Sequence, residues 1–231
     1  MARKSGNFGG FRAVLRWLLR LVLLVLVLLA GLIILYRFVP PVSTPMLARM
    51  LLHEKVERDY LPLDRMSPNL RAAVIMSEDA HFCRHHGVDW GAMREVIDAG
   101  GVRGPARGAS TITMQVAKNL FLWPGRSYIR KGFEIPLALV LDRVWPKSRI
   151  LEVYLNIAEW GDGIFGAEAA SEAYFHKSAT DLSLHQGALL AAVLPDPYTR
   201  SVLHPNWRVT IHARIVERRV IRTPGFADCV R

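Results

Sequence analysis

The sequence predicts a mainly α-helical domain that follows a single membrane-spanning helix near the N-terminus. Three observations support this prediction. An uninterrupted apolar run extends from Leu21 to Tyr36. After it, apolar residues recur mostly at helical spacing, and capping residues, Gly or Pro separate the segments. Strict alternation of apolar and polar residues, which is typical of strands, is scarce.

The apolar run has the length and flanks of an uncleaved signal anchor. Its 16 residues cover about 24 Å as a helix, and apolar neighbours extend it toward the ~30 Å of a hydrocarbon core. We predict a basic cytoplasmic arm over 1–16 and a transmembrane span over 17–39. A cleaved signal peptide is the alternative, but the run continues past Ala30-Gly31, the small pair at which cleavage would be expected.

Basic residues near the span predict its orientation. No Asp or Glu precedes Glu54, whereas Arg and Lys are frequent before the apolar run. Positively charged flanks stay on the cytoplasmic side of a membrane. The N-terminus is therefore expected in the cytoplasm, and the remainder of the chain on the far side.

The chain beyond the span divides into a linker and a domain. We predict a Pro-rich linker and membrane-proximal segment over 40–65, and the domain over 66–231. An amphipathic stretch over 46–65 is favoured as the first helix of the domain over a helix lying on the membrane surface. Caps and breakers predict helices from Ser67 and over 89–99, 110–122, 127–144, 146–156, 167–175, 183–194 and 206–222. Pro136 is expected to kink or split one of them.

Charge and cysteines set broad limits on partners and compartment. The 231 residues carry a formal net charge of +10, which favours an acidic partner: nucleic acid, anionic lipid or a phosphorylated substrate. The two cysteines, Cys83 and Cys229, are able to pair in an oxidising compartment. Since one lies in mid-domain and the other close to the end, we expect two unpaired, mostly buried thiols.

Five stretches gather residues that are able to do chemistry. The first, Glu78 to Gly87, places two adjacent carboxylates beside an aromatic residue and three histidines. Repulsion between the carboxylates and partial burial raise a carboxyl pKa toward neutrality, which suits a general base. A solvated helix end is an equally good interpretation, and a zinc site built on His81 and His85 is a weaker one.

The other four stretches are less specific on their own. The second, Gly108 to Asn119, places Thr111, Gln115 and Lys118 on one polar helix face. In the third, Arg130 to Glu134, two bases and a carboxylate lie within one turn, and Arg126 lies a turn earlier. This grouping suits a bound diphosphate as well as a plain surface ion pair. The fourth and fifth, 147–156 and 163–177, look mostly like packing.

In this order, the five stretches resemble the signature of glycosyltransferase family 51, which bifunctional penicillin-binding proteins and monofunctional peptidoglycan transglycosylases share. They match E-D-x-x-F-x-x-H-x-G, G-x-S-T-I-T-x-Q-x-x-K-N, R-K-x-x-E, K-x-x-I-L-E-x-Y-L-N and, with one added residue, G-I-x-x-A-A. Met114 stands where many relatives carry a second Gln. The resemblance covers residues 60–200 and is closest to the monofunctional branch.

The resemblance implies a lysozyme-like helical fold and lipid II as the substrate. The 4-hydroxyl of the acceptor GlcNAc attacks C1 of the lipid-linked growing glycan chain. Undecaprenyl diphosphate leaves, and a β-1,4 linkage forms. The family also implies the bacterial inner membrane, a periplasmic catalytic domain, other cell-wall synthases as partners, and no nucleic acid.

The family pattern assigns roles to particular residues. Glu78 is implied to be the general base. Glu134 is the second acidic residue, and it acts near the diphosphate either through a divalent cation, Mg²⁺ or Mn²⁺, or by positioning neighbouring bases. The remaining expected substrate-site residues are Asp79, Phe82, His85, Thr111, Gln115, Lys118, Arg126, Arg130 and Lys131. Of these, Asp79, Phe82 and His85 are expected chiefly to hold the loop around Glu78.

Three other functions are weighed against this one. A glycan-cleaving enzyme of similar fold would use two nearby carboxylates, but Lys118, Arg130 and Lys131 favour a phosphate leaving group. A non-catalytic membrane scaffold is disfavoured because the acids and bases are all present. A bifunctional enzyme is disfavoured because the chain contains no Ser-x-x-Lys, the nucleophile pair of an acyltransferase.

Overall fold

A computed structural model describes residues 8–98, 110–125 and 127–230. Contacts within the chain separate a first unit, Met1–Val39, from a second, Pro40–Arg231. The first unit is the helix α1 (Phe8–Tyr36). By length and composition, its stretch Arg12–Tyr36 is able to cross a membrane. The helix ends three residues before the end of the predicted span.

The second unit is mainly helical in its described residues, which confirms the predicted fold class. Its α-helices are α2 (Thr44–Leu51), α3 (Pro68–Glu78), α4 (Trp90–Asp98), α5 (Ile112–Phe121), α6 (Tyr128–Val144), α7 (Lys147–Ile157), α8 (Ala167–Phe175), α9 (Leu184–Val193) and α10 (Trp207–Arg222). Single turns of 3₁₀-helix are Leu63–Arg65, Ala179–Asp181 and Asp228–Val230.

Side-chain caps fix the beginnings of the helices. Ser67 and Ser127 cap α3 and α6 as predicted, each through its side-chain oxygen. The α5 helix begins one residue later than predicted. Thr111 caps it, because its hydroxyl accepts a hydrogen bond from the backbone N–H of Met114 at 3.1 Å. Ser110 therefore keeps its hydroxyl for another contact.

Two helix predictions are corrected by the structure. The α6 helix runs unbroken through Pro136, so the predicted split is absent. The helix expected over 46–65 is reduced to α2. Met46 is fully buried and α2 packs on α5, so α2 is part of the packed second unit.

A small three-stranded sheet was not predicted. Its strands are β1 (Glu57–Arg58), β2 (Glu159–Gly161) and β3 (Ile164–Phe165). The central β3 is parallel to β1 and antiparallel to β2. Strands of two or three residues are too short to produce a readable alternation of apolar and polar positions.

The helices of the domain form two groups. One group contains α3, α9 and α10, and in the other α5 packs on α6 and α7. The fully buried Asn156 on α7 joins the second group to the segment before α3, because its amide exchanges hydrogen bonds of 2.9 Å with both backbone groups of Leu61.

The two cysteines form a disulfide, which corrects the expectation of free thiols. Cys83 and Cys229 are bonded, and their Cα atoms are 5.6 Å apart. The 3₁₀ turn that contains Cys229 packs on α7. The Val230 carbonyl also accepts a hydrogen bond from Arg71 of α3 at 3.1 Å. Sequence separation concealed this proximity, since the fold brings the C-terminal turn back to the loop after α3.

Candidate active site

The loop after α3 is clasped to the beginning of α5. Asp79 is 7% exposed. Its carboxylate accepts hydrogen bonds from His85 Nε2 at 2.9 Å and from the backbone N–H of Ile112 at 3.0 Å. The Thr111 hydroxyl donates to the Gly87 carbonyl at 2.6 Å. The first two sequence motifs therefore meet through their own polar residues.

Gly87 of the first motif sits where only glycine fits. Its φ is +86°, and a Cβ atom built there would lie 2.5 Å from the Ala138 carbonyl oxygen. Such a distance is far below van der Waals contact. The residue thus lets the loop pass directly against α6.

Phe82 points into the core, where its side chain is able to hold the loop around Glu78 rather than contact a substrate. Its side chain is fully buried, and Lys147 Nζ lies 4.6 Å from the ring centroid. His85 is also largely covered and meets Phe82 edge-on. Met114 is fully buried too, so this departure from the family pattern faces the core.

Glu78, the last residue of α3, is half-buried beside Gln115. Gln115 Nε2 donates a hydrogen bond of 2.9 Å to Glu78 Oε2. Burial raises the pKa of the Glu78 carboxyl, and the negative charge of Asp79 adds to this. The Gln115 hydrogen bond and the charges of Arg200 and Lys118 act in the opposite direction. The net direction is upward, as a general base needs.

A basic cavity of about 510 Å³ lies on the other side of Gln115. It is lined by Lys118, Arg130, Lys131 and Glu134 together with polar neighbours. Glu134 is 3% exposed. Its two oxygens lie 2.9 Å from Arg130 Nε and 2.9 Å from Lys131 Nζ. Lys131 also donates to the Ser110 hydroxyl at 2.7 Å, so the second and third motifs meet here.

Lys118 is the third basic residue of this cavity and is partly buried. Burial lowers its pKa, and the positive charges of Arg130 and Lys131 act in the same direction. Glu134 and Glu78 oppose them. An additional anion in this cavity would favour the charged lysine. Arg126, which the sequence places among the substrate-site residues, lies outside the described residues.

A second cavity, of about 690 Å³, contains Glu78. It shares Ser110 and Gln115 with the basic cavity, so the two spaces are adjacent. Its far wall includes residues that the sequence analysis missed: Arg200, Trp207, Arg208 and His212. They lie in α10 and the loop before it, where no motif marks them. Only the basic, amphipathic character of 206–222 gave a signal.

The residues of the zinc alternative have other partners in the structure. His85 is hydrogen-bonded to Asp79, His81 is hydrogen-bonded to Asp89 at 2.9 Å, and Cys83 is in a disulfide. The disulfide removes Cys83 as a zinc ligand, and each of the two histidines uses one ring nitrogen for a carboxylate. Within residues 8–98, 110–125 and 127–230, no three His, Cys, Asp or Glu side chains converge as a metal site.

Comparison with known proteins places the chain in a family. Residues 45–220 match the model of the family described as Transglycosylase. The chain is 49% identical over 207 residues to a biosynthetic peptidoglycan transglycosylase of Rhodospirillum centenum, covering 88% of this chain and 90% of that protein. A protein of the same name from Brucella suis is 48% identical over 215 residues, covering 92% and 96%.

The fold and site therefore define an enzyme domain of the transglycosylase class, whose fold is lysozyme-like. A third relative, the biosynthetic peptidoglycan transglycosylase of Nitrobacter hamburgensis, is 54% identical over 173 residues, which are 74% of this chain and 76% of that protein. The chain belongs to the transglycosylase family, as the five motifs indicated.

Proposed function

We propose that this chain is an inverting peptidoglycan glycosyltransferase that polymerises lipid II into β-1,4-linked glycan strands and releases undecaprenyl diphosphate. One observation carries the proposal beyond family membership. Gln115 binds the Glu78 carboxylate and also lines the cavity that contains Lys118 and Arg130. A base and a polycationic anion site are thus neighbours, which suits a displacement at a sugar–diphosphate bond.

Glu78 acts as the general base. A sugar hydroxyl is a poor nucleophile at neutral pH, so its proton must be removed as its oxygen attacks C1. Burial raises the pKa of Glu78 and so makes its carboxylate a better proton acceptor. The Gln115 amide donates to the same carboxylate and favours the ionised form that the reaction needs.

The basic cavity receives the diphosphate. Negative charge grows on the bridging oxygen as the bond to C1 breaks, and Lys118, Arg130 and Lys131 are placed to neutralise it. Glu134 holds the donors of Arg130 and Lys131 before the substrate arrives, which lowers the reorganisation needed in the reaction. This set favours transfer from a diphosphate over cleavage of an ordinary glycosidic bond.

Glu134 positions two of these bases. Each of its oxygens already faces a cation, Arg130 or Lys131. A divalent cation held directly by Glu134 would have to displace one of them, so the residues fit this cation poorly. We therefore derive no step through Mg²⁺ or Mn²⁺ and assign Glu134 the positioning role.

The membrane location follows from the substrate and the first unit of the chain. A lipid-diphosphate substrate requires an enzyme at a bilayer, and α1 supplies a candidate anchor. Arg12, Arg16 and Arg20 before the apolar run favour a cytoplasmic N-terminus in the inner membrane. The Cys83–Cys229 disulfide suits an oxidising periplasm for the domain. Association with other cell-wall synthases stays a prediction from the family resemblance.

Polymerisation of fluorescent lipid II by the detergent-solubilised full chain tests the function. We expect the wild type to build long muramidase-sensitive strands. Glu78→Gln should build none while it melts at least as high as the wild type. Glu217→Gln is the matched control, because Glu217 pairs with His185 on α9 and lines neither cavity. A folded wild type that leaves lipid II intact, or that shortens preformed glycan instead, would refute the proposal.

A further inference from the structure

Tyr154 is a buried titratable residue that the proposed reaction does not use. It lies on α7, is 2% exposed, and belongs to the fourth motif, which the sequence analysis interpreted as packing. Its hydroxyl donates a hydrogen bond of 3.2 Å to Gln115 Oε1. Gln115 Nε2 in turn donates to Glu78 Oε2 at 2.9 Å. A chain of two hydrogen bonds thus runs from α7 through α5 to the end of α3.

We propose that Tyr154 is a positioning residue for the reaction, because its hydroxyl fixes the Gln115 amide with the NH₂ group toward Glu78. The inference rests on the proposed role of Glu78 as the base. The proposal adds Tyr154 as a residue that touches neither the substrate nor the reacting atoms. Tyr154 acts only through the orientation of the Gln115 amide.

The chemistry of an amide explains why orientation matters. A glutamine side chain has a donor end and an acceptor end, and an ionised carboxylate accepts only from the donor end. With the tyrosine hydroxyl donating to Oε1, the amide is satisfied when its NH₂ faces ionised Glu78. Donation to Oε1 also polarises the amide and strengthens its N–H donors. Both effects favour the ionised base.

Removal of the hydroxyl cancels this preference. In Tyr154→Phe, Oε1 has no donor while Glu78 is ionised, and a buried acceptor without a partner is costly. When Glu78 is protonated, the amide is able to flip and accept the carboxyl proton at Oε1, and its NH₂ group is then the end without a partner. The ionised form of Glu78 thus loses the advantage that Tyr154 gives it, and the variant holds the proton, and stays inactive, to a higher pH than the wild type. Activity should rise with pH later than in the wild type.

Other charged groups around Glu78 are the same in both proteins. Asp79, Lys118 and Arg200 act on its pKa directly. From α10 and the α4 side, the same cavity receives Arg208, His212, Arg219, His81, Asp89 and Glu95. Because none of them is changed, a difference between the two pH profiles reports on the Tyr154–Gln115 link.

The experiment compares pH profiles of lipid II polymerisation, measured as kcat/KM with the full chain in detergent. We expect the acid limb of Tyr154→Phe to move to higher pH by about half to one unit. Tyr174→Phe is the matched control. It also removes a tyrosine hydroxyl that donates a hydrogen bond, here to the Trp160 carbonyl at 3.0 Å, but without a path to Glu78. Its acid limb should stay in place.

A double variant tests the path itself. Gln115→Ala should move the acid limb upward on its own, and adding Tyr154→Phe to it should move the limb no further. Melting temperatures verify that each variant is folded. Identical limbs in the wild type and Tyr154→Phe, equal shifts in both tyrosine variants, or additive shifts in the double variant would overturn the inference. An inactive wild type would instead refute the proposed function.

Discussion

Glu78 experiences opposing influences at the residue scale. Burial and the charge of Asp79 raise its pKa, whereas Gln115, Lys118 and Arg200 favour the ionised form. A base that is too weak removes no proton, and one that is too strong is already protonated at working pH. The contacts of this residue therefore balance proton affinity against ionisation.

The raised pKa has a consequence for stability. Folded Glu78 holds its proton to higher pH than the ordinary value of 4.5 allows in the unfolded chain. Between the two pKa values unfolding releases a proton, so Glu78 lowers stability as pH rises. Glu78→Gln has no titrating group at this position, so its stability does not have this pH dependence. We expect its melting temperature, relative to the wild type, to increase as pH rises above 4.5; a constant difference between the two melting temperatures above that pH would contradict the pKa direction.

Glu134 makes a second prediction at this scale. In Glu134→Gln, Arg130 and Lys131 lose the carboxylate that fixes them, while the buried amide retains a similar shape. We expect polymerisation to fall by a factor of about 10²–10³, the usual cost of losing preorganised charge stabilisation. Glu57→Gln, which breaks an exposed pair with Lys55, is the control. Unchanged steady-state rates in Glu134→Gln would exclude the positioning role.

Some contacts of individual residues can be predicted from the sequence, and others cannot. Glu78 and Glu134 were identified because their motifs are continuous in sequence. Tyr154 was visible in a motif, but its role depends on a contact with Gln115 on another helix. No motif in the sequence marks Arg200 as a site residue, because it comes to lie near Glu78 only when α3 packs with α9 and α10. Phe82 is buried in the core, which its motif alone does not reveal, because a motif does not distinguish a cavity residue from a core residue.

At the element scale, the clasp between the α3 end and the α5 beginning organises the site. It depends on Gly87, where the loop touches the Ala138 carbonyl of α6. Gly87→Ala places a Cβ atom at a positive φ and in collision with backbone. We expect a loss of stability of about 1–3 kcal/mol and a matching loss of polymerisation.

Gly132→Ala on α6 is the comparison for that prediction. No atom lies within 4 Å of a Cβ built there, so the added methyl group should stabilise the helix by up to about 1 kcal/mol. Melting temperatures of the two variants should therefore move in opposite directions. A Gly87→Ala protein as stable as the wild type would show that the loop is able to move away from α6.

Element boundaries were predictable where the signal was local. Ser67 and Ser127 cap the helices that follow them, because capping involves only neighbouring residues. The prediction of a split at Pro136 was wrong, because α6 continues through this residue. It does so although Pro136 has no N–H, which leaves the Gly132 carbonyl without the usual helical donor. The strands escaped prediction because they exist only through pairing between distant segments.

At the scale of the whole molecule, the site lies where the two helix groups meet. Glu78 comes from the α3 group and Gln115 from the α5 group. Anything that loosens one group from the other separates Glu78 from the basic cavity. Hydrogen bonds alone do not make this connection, because the Cys83–Cys229 disulfide joins the loop after α3 to a turn that packs on α7.

Removal of that disulfide should loosen the domain measurably. The bond closes a sequence separation of 146 residues, for which loop-closure entropy in the unfolded chain gives a stabilisation of about 3–5 kcal/mol. We expect the Cys83→Ser/Cys229→Ser double variant to melt well below the wild type and to lose polymerisation at a correspondingly lower temperature. Dithiothreitol should lower the melting temperature of the wild type toward that of the variant and leave the variant unchanged. If alkylation reports two free thiols after reduction while the wild-type melting temperature stays constant, the disulfide contributes nothing to stability, and the hydrogen bonds of the clasp suffice to hold Glu78 against α5.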